Sequence, residues 1–169
     1  GFSLYLIQPS TAQNTAKGAS NENFSISNDL LSVIFDAKTG YVKKIKEHGS
    51  ESIPFFCTLS WYNSSDGLDS QVNRGQGSGA YIFRPNGKFP VNGEKPVDLE
   101  IIHGEQVSEA RQIYSPWAAV TLRLYKGRRE LEVEWTIGPL PDDSIGREVV
   151  ISYSSPTIKS NGEFWTDAN

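Results

Sequence analysis

Two histidines, one cysteine and a few clustered carboxylates are the side chains here that could do acid–base, nucleophilic or metal chemistry. A catalytic zinc needs three or more converging His, Cys or carboxylate ligands. His48 and His103 show no HxH, HxxxH or CxxC spacing, and each borders a glycine at an expected strand end. They read as turn or strand-end residues. Paired-carboxylate hydrolysis needs two carboxyls about 5–5.5 Å apart, one acting as nucleophile and one as acid. The pairs on offer are Asp142 with Asp143, Asp66 with Asp69, and Asp98 with Glu100. Each sits in a polar loop or on an outer strand face, where a solvated carboxylate is ordinary. Adjacent residues of a strand also point to opposite faces, so Asp142 and Asp143 do not naturally converge. Cys57, beside Pro54, Phe55, Phe56 and Leu59, reads as a buried thiol rather than a nucleophile. These residues form no complete catalytic set.

One stretch nonetheless has the composition of a site. From Arg74 to Gly87, glycines at 75, 77, 79 and 87 surround Tyr81-Ile82-Phe83. The apolar triplet is expected to be a short strand, stopped by a turn at Arg84-Pro85-Asn86-Gly87. Glycine permits close approach of a backbone or ligand, so the stretch reads as a flexible approach, one presented aromatic and a sharp exit. A bulged edge strand with a Gly-rich loop accounts for the same letters. It is not a phosphate loop: GxxxxGK[ST] is absent and no helix-forming run follows.

The elements that must position these residues read as strands throughout. Leu31, Val33 and Phe35 alternate, Asp36 to Gly40 turns the chain, and Tyr41, Val42 and Ile45 return it as a hairpin. Phe55 to Tyr62 is a dense apolar strand, followed by a polar loop from Asn63 to Gly79 and a second turn-rich loop from Phe89 to Pro96. Leu99 to His103, Ala110 to Tyr114 and Trp117 to Tyr125 alternate as strands. In the hairpin from Ala118 to Gly138, a loop at Lys126 to Arg129 sets Leu124 against Leu131 and Arg123 against Glu132. Trp135 alternates with Leu131, Val133 and Ile137 and is expected in the core. Glu148 to Tyr153 and a last piece at Phe164-Trp165-Thr166 complete the set. No helical period runs through any ~11-residue window. The expected fold is all-β, an antiparallel sandwich over residues 24–169, preceded by a leading strand (Gly1 to Ile7) and an exposed linker up to residue 23.

Composition narrows the function classes. A net charge of -4 argues against nucleic-acid binding, which needs a basic face. No run approaches the ~18 apolar residues of a membrane-crossing helix. With Met absent and Gly first, the chain reads as processed or excised from something longer. The sequons Asn23-Phe24-Ser25 and Asn63-Ser64-Ser65 are the candidate glycosylation sites, both in polar, loop-like surroundings. Among the four tryptophans only Trp61, before Tyr62-Asn63, reads as a possible sugar platform.

Three segments together carry a resemblance. SGAYIFRPNG resembles the SGAY-F-PNG segment of the C-terminal region of the lysosomal/vacuolar-type α-mannosidases, glycoside hydrolase family 38. LEVEWTIGPLPDD, GREVV and NGEFWTDAN, between Leu131 and Asn169, are similar to that family's VEWTVGPIP…GKEV…T.G.FYTDSNG run. NDLLSVIFDAKTGYVKKIK, from Asn28 to Lys46, resembles the hairpin that opens its large β-domain. The matches keep the family order, and FRPNG looks most like plant members. The resemblance implies part of a galactose-mutarotase-like supersandwich, incomplete on its C-terminal side. It implies a parent enzyme that removes terminal α-D-mannose from N-glycans with retention, in the vacuole or lysosome or on the secretory route. Zinc ligands and the nucleophilic Asp would lie upstream, in a catalytic α/β portion that is this chain's partner. One role carries over by residue: the Tyr of the SGAY segment reaches into the mannose site, and here it is Tyr81. A non-catalytic, mannose-binding sandwich module is the other reading of the same residues.

Overall fold

The computed structural model describes residues 14–16, 24–68 and 75–165, and the regular structure in them is β-strand. In chain order the strands are β1 (Asn14–Ala16), β2 (Ser25–Ser27), β3 (Leu31–Phe35), β4 (Val42–Glu47), β5 (Ser52–Pro54) and β6 (Phe56–Ser64). They continue as β7 (Pro85–Pro90), β8 (Asp98–His103), β9 (Val107–Ser115), β10 (Ala118–Tyr125), β11 (Glu132–Ile137) and β12 (Arg147–Ser154). Every pairing is antiparallel. One layer is the five-stranded sheet β1-β8-β9-β10-β11. The other joins β2-β3-β4-β5 to β12-β6-β7, since β5 passes into β6 with only Phe55 between, and Phe55 N–H still donates to Lys43 O at 3.2 Å.

Period-2 apolar residues drive the two layers together. β10 turns Ala118, Val120, Leu122 and Leu124 inward, none more than 3% exposed. They meet Leu31, Val33 and Phe35 of β3, Ile26 of β2 and Cys57 and Leu59 of β6 in one core. Fully burying each large aliphatic chain contributes about 1.5–3 kcal/mol, which outweighs the modest strand propensities. Burial pushes the Cys57 thiol up to about 11, so it is an inert apolar filler. The β3–β4 turn is built by Asp36, whose Oδ1 accepts from the N–H groups of Lys38 and Thr39 at 3.0 Å each. Gly40 follows at φ +73°, and its carbonyl accepts from the fully buried Gln112 Nε2 of β9 at 2.6 Å. That bond ties the turn to the facing sheet.

The outer face of β9–β11 carries a charge ladder set by register. Arg123 pairs with Glu109 on one side and Glu132 on the other. Its guanidinium donates to Glu109 Oε2 at 2.6 Å, to Glu132 Oε1 at 3.0 Å and to Glu134, while Arg111 Nε reaches Glu109 Oε1 at 2.6 Å. Partial burial raises the Glu109 carboxyl, but the hydrogen bonds from Arg123 and Arg111 outweigh it and hold it below its ordinary 4.5. A carboxyl lowered by folding contributes stability above its ordinary value, and that contribution is lost as pH falls through the native value. Glu109→Gln should therefore flatten the acid limb of the pH–stability curve below about pH 4.5 and change little of its shape near neutrality. Urea midpoints measured across that range check it, and a limb as steep as wild type would contradict it.

The hairpin register at Arg123 and Glu132 and the all-β architecture agree with the sequence reading, and several local expectations do not. Tyr81-Ile82-Phe83 is a bend rather than a strand, and Pro85-Asn86-Gly87 begins β7 instead of ending one. Pro85 is tolerated there as the first residue of β7, which among the described residues is the edge of its sheet. Trp135 is 56% exposed. It alternates correctly, but among the described residues β11 is the outermost strand of its sheet, with a neighbour strand on one side. Phe164 and Trp165 form no strand and are almost fully exposed. β1 falls within the stretch read as linker; the leading strand at Gly1 to Ile7, the rest of that linker, Asn23, Asp69, Arg74 and the last four residues lie outside the described residues.

Candidate functional site

Tyr81 stands at the tip of a closed turn at the end of β6. Gly79 N–H donates to Ile82 O at 2.9 Å, which leaves Ala80 and Tyr81 as the tip. Behind it Ser78 Oγ accepts from Arg84 N–H and donates to Arg84 O, both at 3.0 Å. Ser65, the buried residue just past β6, bonds both limbs: its N–H donates to Arg84 O at 2.8 Å and its carbonyl accepts from Ser78 N–H at 2.8 Å. Glycines let these strands of loop lie close. A Cβ on Gly67 would sit 2.6 Å from Gly77 N, so a side chain there would part the two limbs. The Tyr81 ring is 100% exposed and Ile82 is 56% exposed. The ring is thus a projection with an apolar face and a free hydroxyl, held by backbone alone.

Several of the other candidates are occupied by structural work. His48 Nδ1–H donates to Asp29 O at 2.9 Å and its Nε2 lies 3.0 Å from Ser32 Oγ, fixing the β3–β4 pair at its open end. His103 ends β8 beside β1 and is exposed. Asp143 takes both Arg147 guanidinium nitrogens at 2.6 Å each, and that pair pulls its carboxyl down to about 2. Asp66 Oδ1 accepts from Leu68 N–H at 2.9 Å, and Glu100 lies 3.9 Å from Arg111. Among the described residues no group of three or more His, Cys, Asp or Glu could hold a metal ion, so a zinc has no fitting ligand set there.

Trp61 is not an open platform. The Phe89 ring lies 5.0 Å from it, centroid to centroid, and the Arg147 guanidinium sits over it at 4.7 Å. A cleft of about 470 Å³ opens beside this stack, lined also by Trp117 and Pro141, and one of about 580 Å³ lies between the β3–β4 turn and β8–β9. Tyr81 lines neither. Asn63 of the second sequon is half-buried on β6, opposite Arg147 of β12, rather than in a loop, because the strand runs two residues further than its apolar letters. Ser65 and Ser78 were missed by sequence reasoning. The signal available was a serine beside each glycine-rich limb, but serine is common in loops and its partner in each case is a backbone group.

Residues 26–169 match the description "Glycosyl hydrolases family 38 C-terminal domain". The chain is 35% identical over 180 residues to a lysosomal alpha-mannosidase of Mus musculus and 38% identical over 184 residues to a probable alpha-mannosidase of Arabidopsis thaliana. An alpha-mannosidase of Canavalia ensiformis is 34% identical over 176 residues. Each alignment covers 100% of this chain but only 17% or 18% of the relative's length.

Proposed function

The chain belongs to the glycosyl hydrolase family 38 C-terminal domains, and from that premise we propose that it is the β-sandwich portion of an α-mannosidase. The parent enzyme hydrolyses terminal α-D-mannose residues of N-glycans with retention. Its zinc and its nucleophilic carboxylate belong to the catalytic α/β portion, which is this chain's partner, and the sandwich scaffolds that portion. The observation that carries the reading is a family match over 26–169 with more than a third of residues shared with alpha-mannosidases from a mammal and a plant. Relatives named lysosomal support a lysosome, or the equivalent vacuole, as the parent's compartment. On that route Asn23 and Asn63 are the acceptors for N-linked glycans, which mass analysis before and after enzymatic deglycosylation would read.

Within this reading Tyr81 contacts the substrate. Its exposed ring packs on the apolar face of a mannose, and its hydroxyl hydrogen-bonds a sugar OH; it supplies neither proton transfer nor metal ligation. In the complete α-mannosidase, Tyr81→Phe is expected to raise KM about fivefold with kcat little changed, the loss of one hydrogen bond of about 1 kcal/mol. Thermal stability should stay at the wild-type value, since the ring buries nothing in this chain. Steady-state kinetics on an aryl α-mannoside, beside a melting curve, make the test. Wild-type kinetics in that variant would end the assignment.

A further inference from the structure

We propose that Ser78 is the residue that positions Tyr81, acting through the turn that carries it. The inference rests on the reading of Tyr81 as a substrate contact. A ring that is 100% exposed has no protein wall to orient it, so its direction is set by backbone dihedrals alone. The tip holds itself with one bond, Gly79 N–H to Ile82 O at 2.9 Å. One step back, where a hairpin ladder would supply a pair of backbone bonds, the Ser78 hydroxyl supplies them instead. It accepts from Arg84 N–H and donates to Arg84 O, at 3.0 Å each, and so closes the loop from Ser78 to Arg84 into a ring with the side chain as its clasp. The clasp is anchored in turn, because the backbone of buried Ser65 bonds Ser78 N–H and Arg84 O at 2.8 Å each.

The loop beyond this clasp buries little. Tyr81 and Ile82 are the large side chains at its tip, and both face solvent. Ordering it therefore adds little to the core, which leaves presentation of the ring as what the clasp accomplishes. A loop held in one conformation before binding spares the complex the entropy of ordering it, and a ligand group misplaced by an ångström loses much of its effect.

The test uses the complete α-mannosidase with four changes: Ser78→Ala, Ser78→Thr, Tyr81→Ala and the double Ser78→Ala/Tyr81→Ala. Ser78→Ala is expected to raise KM for an aryl α-mannoside about tenfold with kcat changed less. Ser78→Thr keeps a hydroxyl and should recover most of that loss. Because Ser78 acts through Tyr81, the double variant should be no worse than Tyr81→Ala alone. Wild-type KM in Ser78→Ala while Tyr81→Ala is impaired would overturn the positioning role. So would losses that add in the double variant, or a fall in kcat and melting temperature together without a KM change, which marks a merely structural serine. Wild-type kinetics in Tyr81→Ala would instead overturn the Tyr81 reading itself.

Discussion

In a Gly40→Ala variant the folded domain should lose about 3 kcal/mol or more of stability. Gly40 sits at φ +73°, a conformation that strains any residue with a Cβ. Space is also missing: a Cβ there would lie 2.4 Å from Val97 O and 2.7 Å from Val97 Cγ2. The obstruction is backbone, and that backbone is held, since Val97 N–H donates to Thr39 O at 2.9 Å. Moving either side also strains the Gln112 bond to Gly40 O, and Gln112 is fully buried with Oε1 unpartnered among the described residues. Gly49 is the control. Its φ of +85° is comparable, but nothing lies within 4 Å of its would-be Cβ, so Gly49→Ala isolates the conformational cost of about 1 kcal/mol. Urea denaturation of both variants decides the matter. Equal midpoints would show that Val97 yields and that the turn does not lock the layers.

The second large effect belongs to Leu122, and Trp135 gives its contrast. Leu122 lies in the centre of β10 at 0% exposure, with β9 and β11 on either side and the second layer above. Leu122→Ala removes those contacts and leaves a cavity, at a cost of about 3 kcal/mol within a usual range of 2–5. That corresponds to a melting temperature about 10 °C lower for a domain of this size. Trp135, the larger side chain, lies on the same face of the next strand, opposite Val120, yet is 56% exposed. Trp135→Ala in the isolated chain should cost about 1 kcal/mol or less. If the two losses came out equal, the indole would be packed and the exposure of β11 wrong.

The two residues also mark where sequence reasoning stops. Period-2 alternation assigned Leu122 and Trp135 to the same inward set, and both do point that way. Alternation gives a face; it carries no information on how far the facing layer extends. Only the strand order, with β11 outermost, separates a buried leucine from a half-open tryptophan. The turn at Asp36 to Gly40 was legible because its chemistry is local: an Asp side chain caps two N–H groups and a glycine takes the left-handed position. The Arg123–Glu132 pair was legible because a four-residue loop sets the register.

At the candidate site the same division holds. The glycines and the lone Tyr81 signalled a presented aromatic, and the family resemblance supplied the role proposed for it. That Tyr81 tips a bend rather than lining a strand came only from the structure, since the turn is held by Ser65 and Ser78 bonded to backbone groups up to 19 residues away in the chain. By itself the sequence determined the all-β class, the main hairpins, the buried thiol and the family, because these depend on periodicity, turn chemistry and motif order over short spans. Tertiary structure alone decided which sheet edge stays open, which carboxylates are spent on arginines, and where Tyr81 points. Those depend on contacts between residues far apart in the chain, which no local pattern records.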